Sequence, residues 1–362
     1  MKPLDLSKFR KSITKSIPGI GIGFNDPTVW IDTGAYALNY LLTNDFYKGI
    51  PLGKVSIFAG TSGSAKSLLC SGSIAKNAQK AGIFVVIIDT ESALDESWLK
   101  NLGVDTSPDK LLRVSLTLTT EVAKFMSDFV DNYKNEYADI AKEDRPKVLF
   151  ILDSLGMLLT PMDVEQFNDG SLSGRIGGAA KHIKALVKNM VGLLANWNIG
   201  MICTNHTMES NDMYNPDQVI LGGTGQIYAA SMVVSMNKKK LKEDEVGNKT
   251  REVSGIVSKV KVVKSRYAKP FEDVELKIPY ETGLDPYTGL FDLFEKKGVL
   301  KKDGNRYKYL SPVDGTEIKE FRKNFTSAQF DKIMSEWHLA FDEHAIVVHD
   351  DNDGDTSDND AE

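Results

Sequence analysis

The sequence contains little that would place the protein in a membrane or in an oxidising compartment. Cysteine is nearly absent: Cys70 and Cys203 are the two in 362 residues, too few for a disulfide framework and typical of a reducing compartment. No apolar run approaches the roughly 20 residues of a membrane span, and the basic N-terminus lacks the apolar core of a signal peptide. These absences predict a cytoplasmic protein whose two cysteines are core thiols.

The net charge of −6 comes from the end of the chain. Residues 350–362 contain seven acids and no base, which exceeds the whole net charge and leaves the remainder near neutral. This composition predicts a disordered acidic tail, which either keeps the protein soluble or competes with nucleic acid for a basic surface. An acidic total therefore does not exclude a nucleic-acid partner.

Internal repeats and low-complexity segments are also missing before the tail. Apolar, β-rich runs recur instead, at residues 55–59, 84–89, 148–153, 201–205, 231–236, 257–263 and 274–278. Residues 121–141 and 179–197 are long enough for crossover helices between the first four runs. This alternation predicts an α/β fold with a mostly parallel twisted sheet flanked by helices, extended by antiparallel strands from the last three runs.

Residues 54–80 carry the strongest chemical signal: a β-branched run, a loop of small residues, and about a dozen residues of helical character. Small residues let backbone N–H groups wrap a phosphate, the lysine reaches the β- and γ-phosphates, and the hydroxyl after it binds Mg²⁺. The helix N-terminus adds partial positive charge. We call this segment the phosphate loop; its residues are Gly60, Thr61, Ser62, Gly63, Ser64, Ala65, Lys66 and Ser67.

Ala65 departs from the usual phosphate-loop pattern, which has glycine before the lysine. Alanine adds a Cβ that penalises positive φ and is expected to crowd the loop. A serine-rich turn that binds no nucleotide is the alternative interpretation. The strand before and the helix after the loop are what the motif requires, and they favour a nucleoside triphosphate site.

Two predicted strands end in acids. Asp153 closes the run VLFILD, where a P-loop NTPase carries the carboxylate that orients Mg²⁺. Asp89 closes FVVIID, and Glu91 follows where a carboxylate can polarise the water that attacks the γ-phosphate. Helix capping or turn formation is the alternative, and it stays open for Asp89.

Several segments match a known family in the family's order: TGAYALNYLL, FAGTSGSAKS, IIDTESALDESWLKNLGVD, LFILDSLGML, ICTNHT, LGGTGQIYAAS, VKVVKSR and GLDPYTGLFDL. On these segments the chain resembles the RecA-type strand-exchange recombinases, and most closely the UvsX-like branch of T-even phages, which also lacks the loop glycine. The resemblance implies a RecA-like P-loop NTPase core and a DNA-dependent ATPase that uses ATP and Mg²⁺. It further implies that Lys66 and Ser67 bind phosphate and magnesium, Glu91 is the catalytic base, and Asp153 lies in the magnesium shell.

Five further residues receive roles from the resemblance. Asp95 and Trp98 match the residues that contact adenine, although a core aromatic is the alternative for Trp98. Lys264 and Arg266 match the pair that reaches the γ-phosphate of the neighbouring subunit in a filament; solvated strand-end charges are the alternative. His206 matches the position of a γ-phosphate sensor, and a satisfied polar residue at a strand end is the alternative.

Residues 170–208 contain no acid but carry Arg175, Lys181, Lys184 and Lys188. The three lysines recur at i, i+3 and i+7 on one helical face, and we call them the lysine stripe. Such a stripe binds nucleic-acid phosphates non-specifically, whereas a merely solvated helix face is the ordinary alternative. The opposite face should bury against the sheet: Ile183, Leu186, Met190, Leu193, Leu194 and Trp197.

Two long polar loops, at residues 161–174 and 207–225, follow strands that carry nucleotide-site residues. Loops of this length in a compact domain are usually functional or disordered, and these match the two DNA-binding loops of the family. The resemblance implies that the amides of Gly222 and Gly223 approach phosphate. Because the second loop starts beside His206, nucleotide state can order or release it.

Aromatic and thioether side chains in the two loops suggest contacts with bases. Phe167 in the first loop, and Met213 and Tyr214 in the second, are expected to wedge between bases or stack on them. With the lysine stripe they predict contacts with nucleic acid, and the resemblance implies binding of both single-stranded and double-stranded DNA.

The chain is expected to divide into four parts: an N-terminal oligomerisation helix at 1–32, a RecA-like ATPase core at 33–299, a small C-terminal domain at 300–349, and the acidic tail at 350–362. Apolar residues line one side of the expected N-terminal helix: Leu6, Phe9, Ile13 and Ile17.

The sequence therefore predicts an ATP-dependent recombinase that forms filaments on single-stranded DNA and catalyses homologous pairing and strand exchange in recombination, repair and recombination-dependent replication. Expected partners are DNA, further copies of the chain, and single-strand-binding and loader proteins in the cytoplasm of a phage-infected host. The alternatives are a helicase or mediator paralogue of the same fold, and an ATP-binding structural filament protein with little turnover.

Overall fold

The structure is a computed structural model that describes residues 6–16, 26–170, 178–194, 197–208, 218–243 and 250–341. Contacts divide the chain into two compact units, Met1–Leu290 and Phe291–Glu362. The domain boundary predicted at residue 299 stays a prediction. Several residues singled out in the sequence lie outside the described ranges: Ile17, Arg175, Met213, Tyr214 and those of the acidic tail.

Each of the seven apolar runs forms a strand of the first unit. In chain order the strands of this unit are β1 (Trp30–Ile31), β2 (Ile50–Pro51), β3 (Val55–Gly60), β4 (Phe84–Asp89), β5 (Leu111–Ser115), β6 (Val148–Asp153), β7 (Ile199–Met208), β8 (Val219–Ile220), β9 (Met232–Leu241), β10 (Gly255–Ser265) and β11 (Asp273–Pro279). Four of them are short strands that the apolar runs do not predict, namely β1, β2, β5 and β8.

The large sheet has the strand order β11-β10-β9-β3-β7-β6-β4-β5, with β8 paired to β7, while β1 and β2 form a separate two-stranded sheet. The strands from β9 to β5 pair in parallel, and β10 and β11 continue the sheet in antiparallel pairing. The central strands β3 and β6 are buried along their whole length, as expected for a parallel sheet covered on both faces. The predicted α/β fold, a mostly parallel sheet flanked by helices and extended by antiparallel strands, is confirmed.

Helices connect and cover the parallel strands. The segment Leu68–Ile74 after the phosphate loop has the wide turns of a π-helix and runs directly into α3. The helices of this unit are α1 (Leu6–Ser16), α2 (Tyr36–Thr43), α3 (Ala75–Lys80), α4 (Glu96–Asn101), α5 (Thr119–Tyr137), α6 (Pro161–Asn168), α7 (Gly178–Leu194) and α8 (Thr224–Ala229).

The two predicted crossover helices, α5 and α7, form one layer of the core. In α5 the buried residues Val122, Met126 and Val130 recur at helical spacing. In α7 the residues that pack into the same cluster are Ile183, Leu186, Val187, Met190 and Leu194. The apolar face of α7 is therefore buried as predicted, while Leu193 and Trp197 are only partly buried.

The prediction of a continuous loop over residues 161–174 is wrong, because residues 161–168 form α6. Thr160 and Asp163 make a reciprocal capping box: the Thr160 hydroxyl accepts from the Asp163 amide at 3.2 Å, and the Asp163 carboxylate accepts from the Thr160 amide at 2.7 Å. Pro161 occupies the first helical turn, where proline is favoured.

The loop predicted at residues 207–225 is also shorter than expected. Thr207 and Met208 belong to β7 and pair with Ile220 and Val219 of β8, and α8 begins at Thr224.

The second unit is a small mixed fold around an aromatic core. Phe294 packs against Phe330 and Trp337, with ring centroids 6.1 and 5.3 Å away, and the buried Tyr309 donates to Glu336 at 2.7 Å. The elements of this unit are α9 (Leu290–Lys296), β12 (Lys301–Asp303), β13 (Arg306–Leu310), β14 (Glu317–Glu320), α10 (Ser327–Ser335) and α11 (Trp337–Phe341).

Across both units, none of the described helices is long and apolar enough to cross a membrane.

Candidate functional site

The carboxyl ends of four parallel strands meet at one edge of the large sheet. The register places Gly60 of β3 opposite His206 of β7, and Asp89 of β4 opposite Asp153 of β6. Ligands of open α/β sheets bind at this edge. The fold therefore groups the phosphate loop, His206 and the strand-end carboxylates, as the sequence predicts.

The ammonium group of Lys66 is buried inside the phosphate loop without a counter-ion. Lys66 is 7% exposed, and its Nζ donates to the carbonyl oxygens of Gly60 and Thr61, each at 2.9 Å. Within the described ranges it forms no ion pair. Burial lowers the pKa of Lys66, and Asp153 acts in the opposite direction. A buried cation that meets only neutral carbonyls is costly, so the loop favours an anion.

The backbone of the phosphate loop is bent into the left-handed region at two residues. Gly63 has φ of 71° and Ala65 has φ of 72°. A left-handed conformation costs a non-glycine residue about 1–2 kcal/mol. Ala65 is buried and its carbonyl accepts the amide of Leu69 at 2.9 Å, which starts the following helix. The predicted penalty at Ala65 is therefore present as backbone strain.

A magnesium ion would find two protein oxygens beside this loop. Ser67 stands directly after Lys66 at the helix start, and Asp153 is 6% exposed and accepts from the Thr204 hydroxyl at 2.5 Å. The described part of the chain holds no cluster of three or more His, Cys, Asp or Glu that could bind a metal alone. Mg²⁺ is typically held by one or two carboxylates together with nucleotide phosphates, and this donor set fits that arrangement.

Glu91 is held by two residues from neighbouring strands. Its Oε1 accepts the hydroxyl of Ser154 at 2.9 Å and lies 3.2 Å from Nε2 of His206. The carboxylate is about one-third exposed, so water can reach it. The structure thus joins the predicted base to the predicted sensor. Sequence reasoning missed Ser154, and its position directly after Asp153 was the available signal.

Asp89 forms the turn that carries Glu91. It is 1% exposed, and it accepts the amides of Glu91 and Leu94 at 3.2 and 3.1 Å and Arg113 Nη2 at 2.6 Å. Burial opposes ionisation, but Arg113 and the amides together lower the pKa of Asp89. The capping interpretation left open for Asp89 is therefore the one observed. Arg113, a lone cation in the strand LLRVS, was missed.

Asp95 and Trp98 lie together at the start of α4. The carboxylate of Asp95 accepts the Ser97 hydroxyl at 2.5 Å and the Trp98 amide at 3.1 Å, and these bonds lower the pKa of Asp95. Trp98 is half-buried, so its ring does not belong to the buried core. Contact with adenine stays a prediction for both residues.

Lys264 and Arg266 have different surroundings. Nζ of Lys264 donates to three carbonyl oxygens at the end of α8, those of Ile227, Tyr228 and Ala230, at 2.9, 2.8 and 2.7 Å. This is a side-chain cap of a helix C-terminus. Arg266 is exposed and forms no hydrogen bond or ion pair with the described residues. In the single chain the two cations thus have different surroundings, and their contact with the γ-phosphate of a neighbouring subunit stays a prediction.

The lysine stripe is exposed on α7, and the glycine pair Gly222 and Gly223 lies beside it. Both glycines have left-handed φ, of 86° and 77°. A Cβ at Gly222 would lie 3.2 Å from Ile183, and one at Gly223 would lie 3.8 Å from Ala180, which places both against the start of α7. The structure thus brings the stripe and the glycines together. Phe167 of α6 is 72% exposed.

Comparison with known proteins identifies relatives of this chain. The family model described as RecA N-terminal domain matches residues 16–285. Relatives described as Protein RecA include that of Nocardioides sp., 31% identical over 330 residues, covering 89% of this chain and 85% of the relative. Those of Rhodococcus jostii and Mycobacteroides abscessus are 29% and 30% identical, each over 89% of this chain and over 84% and 86% of their own length.

We expect Ala65→Gly to stabilise the nucleotide-free protein. Glycine removes the left-handed penalty at φ of 72°, although it also makes the unfolded chain more flexible, so the net gain is about 0.5–1 kcal/mol. Urea unfolding measures the change. Ala75→Gly, in the helix, is the control and should destabilise the protein by about 1 kcal/mol. A lower unfolding midpoint for Ala65→Gly would contradict the strain argument.

Arg113→Gln should destabilise the protein by about 2 kcal/mol at neutral pH, because it leaves the buried Asp89 without its cation. The folded-state pKa of Asp89 is lowered, so its ionised form stabilises the fold above the unfolded-state pKa of about 3.9. That contribution is lost as pH falls through the folded-state pKa. The difference from wild type in urea unfolding should therefore shrink below about pH 4. A pH-independent difference would argue against the ion pair.

Lys264→Met should weaken α8, since it removes the donor to three carbonyls, and we expect a loss of about 1–2 kcal/mol. Amide hydrogen exchange at Tyr228 and Ala230 in the nucleotide-free protein measures it. Arg266→Met is the matched control, and it should change stability by less than about 0.5 kcal/mol. Equal exchange in the two variants would disprove the cap.

Proposed function

The chain belongs to the RecA family, and from this premise we propose that it is an ATP-dependent DNA recombinase. It would form filaments on single-stranded DNA, pair that strand with a homologous duplex and exchange strands, in recombination, repair and recombination-dependent replication. The UvsX-like branch also lacks glycine at the position of Ala65 and carries histidine at the position of His206, and this resemblance supports a phage recombinase acting in the cytoplasm of an infected host. Loader and single-strand-binding proteins are the further partners of such an enzyme.

The buried ammonium of Lys66 is the observation that carries this proposal. It lacks an ionic partner within the described residues, and it lies at the sheet edge that also holds Asp153 and Glu91. The negative charge of a triphosphate would compensate it. Bound Mg²⁺ would neutralise charge that develops on the phosphates during hydrolysis.

Different residues of the chain would bind the phosphates, hold the metal ion and take the proton from water. Lys66 and the loop amides would bind the phosphates, while Ser67 and Asp153 would hold the metal ion. Glu91 accepts a proton from the attacking water, and Ser154 and His206 fix its Oε1. General-base catalysis of this kind contributes about 10²–10⁴-fold to a rate.

DNA binding is assigned to the lysine stripe and the glycine pair, together with Phe167. The backbone links this surface to the nucleotide site, because the Leu221 amide donates to the His206 carbonyl at 3.0 Å. Leu221 immediately precedes the glycine pair. A change at His206 on hydrolysis would thus reach the DNA surface through this hydrogen bond. It would order or release the segment that carries the glycine pair.

Neighbouring subunits would complete the site. Lys264 and Arg266 of one subunit would contact the γ-phosphate bound to the next, with α1 as the oligomerisation segment. We also propose that residues 33–299 form the ATPase core and residues 300–349 a separate domain.

A structural filament protein with little ATP turnover is the second candidate. The left-handed Ala65 favours it, because a strained loop can bind nucleotide without aligning it for attack. A helicase of the same fold would instead form closed rings and unwind duplexes.

The deciding measurement is the rate of ATP hydrolysis with and without single-stranded DNA for wild type, Lys66→Ala and Glu91→Gln. We expect DNA to stimulate the wild type, and both variants to lose at least about 100-fold. Lys80→Ala and Glu136→Gln, on exposed residues, are matched controls and should keep wild-type turnover. A strand-exchange assay then separates a recombinase from a helicase.

Turnover that survives in both site variants would contradict the catalytic assignments. Tight ATP binding with no DNA-stimulated hydrolysis in the wild type would favour the structural filament.

A further inference from the structure

Lys238 lies at the outer side of the phosphate loop. Strand β9 runs parallel to β3, and Gly60 is paired with Met236, so Lys238 stands two residues beyond the end of β3, level with the loop. Its Nζ would lie 2.9 Å, and its Cδ 3.6 Å, from a Cβ placed on Gly63. The side chain therefore reaches the loop backbone, and Gly63 leaves it the room to do so.

A second contact shows that this face of the β9–β10 hairpin rests on the loop. Ser258 of β10 is directly opposite Lys238 in the antiparallel register, so their side chains share one face of the sheet. The buried hydroxyl of Ser258 donates to the carbonyl oxygen of Ser64 at 2.9 Å. Two opposed residues thus contact two successive residues of the loop.

The charge of Lys238 is uncompensated. Its side chain is exposed, and it forms neither a hydrogen bond nor an ion pair with any described residue. Lys239, on the opposite face, pairs with Glu275 at 2.9 Å. Lys238 is also close enough to Lys66 to act on it: after burial, its like charge contributes to the lowered pKa of Lys66. Two ammonium groups therefore share one loop, and neither has a carboxylate partner among the described residues.

We propose that Lys238 is a phosphate-binding residue of the nucleotide site, a second cation supplied by the same subunit beside Lys66. The inference rests on the proposed function, because its ligand is the phosphate chain of a nucleoside triphosphate. An exposed ammonium contributes mainly through charge. Its contribution therefore grows with ligand charge, from AMP to ADP to ATP, and falls as salt screens it.

The test is calorimetric titration of the full-length protein, without DNA, with ATP, ADP, AMP and inorganic tripolyphosphate in the presence of Mg²⁺. We expect Lys238→Gln to weaken binding of ATP and tripolyphosphate about threefold to tenfold at low salt, and less at high salt. Binding of AMP should change little. Lys238→Arg, which keeps the charge, should bind ATP like wild type, and Lys238→Met, which keeps only the apolar stem, should match Lys238→Gln.

Neighbouring lysines provide the controls. Lys239→Gln removes the same charge on the opposite face, and Lys240→Gln removes it on the same face about 6.6 Å further along the strand. An ATP affinity equal to wild type for Lys238→Gln would overturn the proposal. An equal loss in Lys240→Gln would overturn it too, because it would indicate a general surface field. If the wild type binds no ATP, the proposed function fails as well; if it binds ATP and Lys238→Gln matches it, only this inference fails.

Discussion

Every part of the candidate site depends on the parallel register of β3, β7, β6 and β4. Hydrogen bonds hold Gly60 opposite His206 and Asp89 opposite Asp153, so residues far apart in the chain meet at one edge. A slip of one residue would turn each side chain to the other face of the sheet. The strands are buried on both faces, and the packing of apolar side chains therefore fixes where the charged groups lie.

Charges at this edge are compensated unequally. Asp89 has Arg113, and Glu91 has Ser154 and His206, whereas Lys66 has only neutral carbonyls within the described residues. The charge inside the phosphate loop itself is therefore positive and unpaired, which favours an anion there. The left-handed Ala65 adds strain at the same place, and strain of this kind is usually kept where function requires it.

The sequence is a good guide to the strands that are continuous apolar runs. Residues 84–89 and 148–153 form strands with the predicted bounds, because strands buried on both faces are continuous apolar runs. The helix over residues 161–168 was missed although its capping box and proline are local signals, since its polar composition indicated a loop. Arg113 could not be assigned to Asp89 from the sequence, because that pair depends on β4 and β5 being neighbours in the sheet.

Helix α8 connects the two nucleotide contacts that a filament subunit would make. At its start, the side-chain amide of Asn205, the residue before His206, donates to the side-chain oxygen of Gln226 at 3.1 Å and to the Leu221 carbonyl at 2.8 Å. At its end, the ammonium of Lys264 donates hydrogen bonds to three carbonyl oxygens. On the proposed function, the neighbour's γ-phosphate must compete with these carbonyls, and a charged phosphate forms stronger hydrogen bonds than a neutral carbonyl. Lys264 would then leave α8 only when the neighbour holds a triphosphate, so the same short helix responds to both sites.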